Sequence, residues 1–282
     1  MLHLPRGRLT GAGGRESGAE SQDYEKFGDA MITAKTDARV AWITGSGAKR
    51  VGATIAAACA ARGYSIVVHA NRSVDEGRDT VAQLEALGAQ ALLVTGDLRD
   101  EATVGRLTAE VLERFHRIDV LVNSAAVWKP KPLEKTSAAD VREHFDVNTL
   151  GTFLMCQAVG LQMTKQPEGG AIVNVGDWAI ERPYLNYAAY FPSKGAIPAL
   201  TKMFAVELAA RNPKVRVNAV LPGPVMLPAE LPEAERRQAI NGTLVKREGT
   251  PEHVAAAVLS LVENTFITGV CLPVDGGRTI CS

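Results

Sequence analysis

From residue 39 onward, short unbroken apolar runs alternate with longer stretches of helical periodicity. Arg39–Thr44, Tyr64–His69, Ala91–Thr95, Ile118–Val122, Ala171–Val175, Val215–Leu221 and Val270–Val274 are predicted strands. The stretches running to Arg62 and over 74–87, 100–116, 138–165 and 195–211, with one more from about Pro251, are predicted helices. Apolar runs this short, bounded by glycine and polar residues, read as buried parallel strands. Their alternation with helices implies right-handed βαβ units, hence an α/β doubly wound sheet. Ligands of such sheets bind outside the carboxyl ends of the strands. Asp97, Asn123 and Asp177 all fall at such ends.

Composition narrows the partners. With 31 basic and 31 acidic side chains the net charge is zero, so neither a nucleic-acid nor a membrane partner is implied. The 46% hydrophobic content suits a sizeable core, and no run is long enough to span a bilayer. The four cysteines show no metal-ligand or disulfide spacing, so no metal is expected and a reducing, cytoplasmic setting is. Residues 1–37 lack hydrophobic periodicity and read as a disordered extension, with Met31 a plausible alternative start. The ordered domain is then 38–282. Its proline-punctuated segment at about 225–247 reads as a substrate lid.

Two places carry chemistry. Gly45-Ser46-Gly47-Ala48-Lys49-Arg50-Val51-Gly52 lies between a strand and a helix, the context of a loop that cradles a pyrophosphate. After the second strand, Asn71-Arg72-Ser73 has a base where an acid would favour NAD(H), so NADP(H) is expected. Further on, Tyr190 and Lys194 stand four apart and share one helix face. A phenol titrating near ~10 becomes useful near neutrality when a fixed cation favours its phenolate. Taken alone, the pair reads as an exposed Tyr and Lys on a surface helix; the residues upstream lift it above that. Asp177, thirteen residues before Tyr190, is either a helix cap or part of the same cleft.

The ordered set TGxxxxxxG, Asp97-Leu98, Asn123-x-Ala125, Asn148, Tyr190-x-x-x-Lys194, Pro222-Gly223 and Val274-Asp275-Gly276-Gly277 resembles the short-chain dehydrogenase/reductase family. The resemblance implies a single Rossmann-type domain of seven mostly parallel strands, commonly assembled as a homotetramer. It also implies Tyr190 as proton donor or acceptor, Lys194 lowering its pKa, and Asn148 holding a water in the relay. Implied cofactor contacts are Gly45, Arg50, Val51, Gly52, Asn71, Arg72, Ser73, Asp97, Leu98, Asn123, Ala125, Tyr190, Lys194, Pro222 and Gly223.

The chain departs from the common pattern at Asp177, which stands where a serine is usual, and at Arg50, which replaces the loop's second glycine. A threonine usual after Pro222-Gly223 is also missing. The first two departures resemble the pteridine reductase branch, in which an aromatic like Trp128 stacks on the pterin. An ionised carboxylate, unlike a hydroxyl, has no proton to donate to a substrate carbonyl. The expectation is therefore an NADPH-dependent reductase of a pterin-like heterocycle, with Trp128, Asp177 and Tyr190 on the substrate. The alternative is a 3-oxoacyl thioester or small-ketone carbonyl reductase.

Overall fold

The computed structural model describes residues 38–281; the expected disordered extension and alternative start lie outside these described residues. Seven strands form one fully parallel sheet: β1 (Val40–Thr44), β2 (Ser65–Ala70), β3 (Ala91–Thr95), β4 (Val120–Asn123), β5 (Gly170–Val175), β6 (Val215–Pro222) and β7 (Cys271–Val274). Their order across the sheet is β3-β2-β1-β4-β5-β6-β7. Among the described residues the α-helices are α1 (Val51–Ala60), α2 (Val74–Ala86), α3 (Glu101–Phe115), α4 (Ala138–His144), α5 (Gly151–Met163), α6 (Tyr190–Ala209), α7 (Glu233–Asn241) and α8 (Pro251–Glu263).

The strands read as continuous apolar runs because both faces are covered. Successive side chains point to opposite faces, so Val40 and Trp42 join one core while Ala41 and Ile43 join the other. The first core is closed by Leu107 and Val111 of α3, Met155 and Val159 of α5, and Phe204 and Leu208 of α6. The second is closed by Ile55 and Cys59 of α1, Leu84 of α2, and Val254 and Val258 of α8. Chain order reverses at β1, which has β2 on one side and β4 on the other. A crevice opens there, beyond Thr44 and Asn123, which are register partners.

The single helix expected over 138–165 is divided. Between α4 and α5, residues Phe145–Leu150 form a π-helical stretch around the fully buried Asn148. Its amide is drawn out of register by tertiary partners: Oδ1 accepts from the Val127 N–H at 2.8 Å, and Nδ2 donates to the Val127 carbonyl at 3.0 Å and to Ser193 Oγ at 2.9 Å. An inserted residue of this kind is a common accommodation near functional sites.

The segment after β6 is helical only over α7. It is clasped by Glu248, which accepts from the Leu227 N–H and from Arg236, while Arg236 also donates to the Pro228 carbonyl. No described helix is long and apolar enough to cross a membrane.

Candidate active site

The turn from β1 into α1 is drawn tight. Gly45 has φ +66°, and a Cβ there would stand 2.7 Å from the Cα of Ala125. Only glycine accepts both the conformation and the approach. Thr44 Oγ1 accepts the N–H groups of Ser124 and Ala125, joining this turn to the loop after β4. Helix α1 then begins after Arg50 with no side-chain cap and no acid in its first turn. Its partial positive end is left for an anion. Around it, Lys49, Arg50 and Arg72 line one cleft, and among the described residues none of the three forms an ion pair with a carboxylate. An uncapped helix end, a tight glycine turn and cations without a carboxylate partner among the described residues fit the pyrophosphate of a dinucleotide.

This cleft, of about 1550 Å³, crosses the carboxyl ends of the strands as far as the segment after β6. Gly45, Arg50, Val51, Asn71, Arg72, Ser73, Asp97, Leu98, Ala125, Trp128, Asp177, Tyr190, Lys194, Pro222 and Gly223 all line it. Three expected site residues do not. Gly52 lies under the loop, where a Cβ would meet the Gly45 carbonyl oxygen at 3.0 Å. Asn123 is 4% exposed and points into the sheet, donating to Asn174 Oδ1 and Cys156 Sγ. Asn148 spends its side-chain amide on Val127 and Ser193, so it positions the loop after β4 against α6. Its main-chain carbonyl accepts from Thr152 Oγ1 at 2.8 Å.

Helix α6 begins at Tyr190, with Pro192 in its first turn, where a missing N–H costs nothing. That start aims Tyr190 and, one turn on, Lys194 into the cleft. The Tyr190 hydroxyl donates to Asp177 Oδ2 at 2.8 Å. The other carboxylate oxygen, Oδ1, accepts the Ala179 N–H at 2.8 Å, so Asp177 is both a cap and a partner of the phenol. Lys194 Nζ donates to the Val175 carbonyl at 2.7 Å rather than to Tyr190.

The electrostatics differ from the sequence expectation. Burial, followed by the adjoining Asp177 carboxylate, pushes the Tyr190 phenol well above its usual range. Burial likewise raises Asp177, against the Ala179 N–H, the Tyr190 hydroxyl and the Lys194 charge, which all pull it down. Lys194 falls to about 8, chiefly through burial, with Asp177 opposing. Lys194 therefore acts on Asp177, and Asp177 acts on Tyr190. The phenol is held protonated here, the reverse of the direct lysine effect expected.

An aromatic wall faces this group. Trp128 stacks on Tyr187, with ring centroids 4.9 Å apart and planes 15° from parallel. Tyr187 meets Tyr190 edge-on at 6.2 Å, and Tyr184 packs against Tyr187 and Phe191. One indole face, the platform expected for a flat substrate, is thus covered by Tyr187. Sequence reasoning passed over Tyr184 and Tyr187 as connector residues; their spacing of three and six before Tyr190 was the available signal. It also passed over Trp178 and Arg278, whose guanidinium lies 4.7 Å over the Trp178 ring. Arg278 donates to the Gln238 and Ala239 carbonyls at the end of α7.

A sheet of this order, with an open glycine turn at its switch point, is the framework of Rossmann-type oxidoreductases. The chain belongs to the short-chain dehydrogenase/reductase family. Residues 47–279 match a family model described as "Enoyl-(Acyl carrier protein) reductase". A Streptomyces violaceoruber protein named as ketoacyl reductase 2 of the granaticin polyketide synthase is 37% identical over 258 residues, covering 88% of this chain and 98% of that one. The 7alpha-hydroxysteroid dehydrogenase of Escherichia coli K12 is 31% identical, covering 86% and 95%. Among solved structures, the acetoin dehydrogenase of Enterobacter cloacae superposes with a TM-score of 0.78 at 31% identity, covering 88% of this chain and 98% of that one. As a family member the chain is an oxidoreductase that uses a nicotinamide dinucleotide. These relatives favour carbonyl and alcohol chemistry over the pterin branch expected from Asp177, Arg50 and Trp128.

Proposed function

We propose that the chain is an NADP(H)-dependent carbonyl reductase, acting on a 3-oxoacyl thioester or a small ketone. The observation that carries this reading is the buried Tyr190 hydroxyl facing the cleft, with Lys194 one helical turn away. The named activities of the relatives support the substrate class, and unpaired Lys49, Arg50 and Arg72 support the 2′-phosphate. The bound nicotinamide would supply the hydride. Tyr190 gives its hydroxyl proton to the oxygen of the reduced carbonyl. The phenolate left behind would face Asp177, and two adjacent anions in a buried site repel. Asp177, with its raised pKa, takes a proton as the medium turns mildly acidic and passes it to Tyr190 along their hydrogen bond. The segment 225–247 acts as the lid, with Met226, Leu227 and Leu231 turned to the cleft.

A second reading, reduction of a pterin-like C=N bond, is favoured by one observation. Asp177 stands where a carbonyl-binding serine is usual, and it holds the phenol directly. Steady-state assays with NADPH and NADH against an acetoacetyl thioester, acetoin-like ketones and a dihydropterin separate the two. Turnover confined to the pterin would overturn the carbonyl assignment.

In this reading the protein is cytoplasmic and self-associates through α5 and α6. Their exposed apolar Leu161, Met203 and Val206 suit a homotetramer.

A further inference from the structure

His69, the penultimate residue of β2, is 2% exposed and has no part in the chemistry above. Its ring lies between two pieces of backbone that border the cleft. Nδ1 is 3.2 Å from the Gly45 nitrogen, and Nε2 is 3.0 Å from the Gly96 carbonyl oxygen. The chemistry of these neighbours fixes the proton. A backbone N–H only donates, so Nδ1 is the acceptor; a carbonyl only accepts, so Nε2 carries the hydrogen. A neutral imidazole in this tautomer satisfies both contacts, whereas an imidazolium has no lone pair left for Gly45. Main-chain bonds reinforce the bridge: Ser46 Oγ accepts the His69 N–H, and the Gly47 N–H donates to the His69 carbonyl.

We infer that His69 is a positioning residue for the dinucleotide, holding the Gly45 turn to the end of β3 only while its ring is neutral. The inference rests on the cofactor lying along the Gly45–Val51 cleft. Gly45 starts the turn that presents the α1 end, and Gly96 directly precedes Asp97 on the cleft wall. One ring therefore sets the spacing between the two ends of the adenosine-side site. The ring's surroundings keep it neutral. Burial lowers its pKa below 6.5, opposed by the Gly96 carbonyl and the Asp97 charge. That charge is engaged by Arg99, and Arg106 holds the Thr95 carbonyl beside Gly96. The sign follows. The folded protein binds fewer protons at this site than the unfolded chain; below 6.5 the unfolded chain takes up the proton first, and the folded ring charges, at the expense of the Gly45 contact, only as pH falls through its lowered pKa.

The test compares dinucleotide binding by the unmutated protein, His69→Gln and His69→Phe between pH 5 and 8, by quenching of tryptophan fluorescence with NAD⁺ and with NADP⁺. Glutamine has one donor and one acceptor and does not titrate; phenylalanine has neither. The unmutated protein should lose about tenfold in affinity for NAD⁺ across the acid limb, and His69→Gln should hold the neutral-pH affinity with a flat profile. His69→Phe should bind at least tenfold more weakly at every pH, with kcat at saturating cofactor within about twofold of the parent. NAD⁺ is the decisive ligand because the 2′-phosphate of NADP⁺, like other phosphate monoesters, itself titrates near ~6. Equal acid limbs for the parent and His69→Gln, or parental affinity in His69→Phe, would overturn the inference while leaving the cofactor site in place. Failure of the parent to bind either dinucleotide would overturn the site and the inference together. Should the variants not fold, the ring ¹⁵N shifts of His69 in the parent decide: the Nε2–H tautomer at pH 7 supports it, and Nδ1–H or imidazolium refutes it.

Discussion

Tyr190 and Asp177 share one proton-bearing contact, a 2.8 Å bond from the phenol to Oδ2, in a pocket that raises the pKa of both. The two groups titrate as a coupled pair rather than as independent sites. Asp177→Ser should accordingly flatten the acid-side rise in rate, because the group that gains a proton on acidification is gone. If the substrate is a ketone or thioester, serine restores a neutral donor and turnover is kept or improved. If it is a pterin, turnover should fall at least tenfold. The pH profile of kcat for parent and variant checks the first expectation on either substrate.

Tyr190→Phe removes only the hydroxyl and keeps the ring against Tyr187 and Phe191. Proton transfer of this kind contributes about 10²–10⁴-fold to rate. Turnover should fall within that range while dinucleotide affinity stays within a few-fold. Parental kcat in this variant would remove Tyr190 from the mechanism.

Lys194 is 4% exposed and its pKa falls from 10.5 to about 8. Between those values the folded chain holds fewer protons than the unfolded one. The penalty is therefore complete below 8 and fades as pH rises toward 10.5. Lys194→Met removes it, so stability at pH 7 should rise by about 1–3 kcal/mol, and the gain should shrink at pH 10. Urea unfolding at the two pH values measures this. Activity should be lost in the same variant, a trade of function for stability.

Arg72 lines the cleft with no carboxylate partner among the described residues. Loss of a charge-assisted contact to phosphate is worth roughly 1.5–3 kcal/mol, so Arg72→Ala should weaken NADPH about ten- to a hundredfold and NADH little. Equal affinity of the parent for NADPH and NADH would sink the assignment of the 2′-phosphate.

The sheet could be read almost strand for strand, since the interior strands are covered on both faces and their mainly apolar runs are broken only by single polar residues such as Asn174, Arg216 and Asn218. Val215–Pro222 and Cys271–Val274 differ from the expected spans by a single residue. The site was legible where chemistry depends on local spacing, as with Tyr190 and Lys194 on one helix face. It was not legible where distant backbone decides. The Asn148 amide, in the π-helical stretch, is held by Val127 and Ser193 together, and no local pattern encodes partners 21 and 45 residues away. Likewise, the bond of Lys194 to the Val175 carbonyl depends on the packing of α6 against β5, which decides whether the lysine answers to the phenol or to Asp177.

The position of β1 has a bearing on how the chain comes into being. It is the first of the described strands in chain order and also an interior one, flanked by β2 and β4. During synthesis β2 and β3 can add to one side as they emerge, but the other side waits for β4, some eighty residues after β1. Until then an apolar strand edge stands open, with Trp42 and Ile43 unable to bury their second neighbour. Long-range parallel pairing forms slowly, and bare edges invite association with other chains. Between synthesis of Val40 and of Asn123 the edge of β1 is thus open to association with other chains, an exposure that chaperones limit.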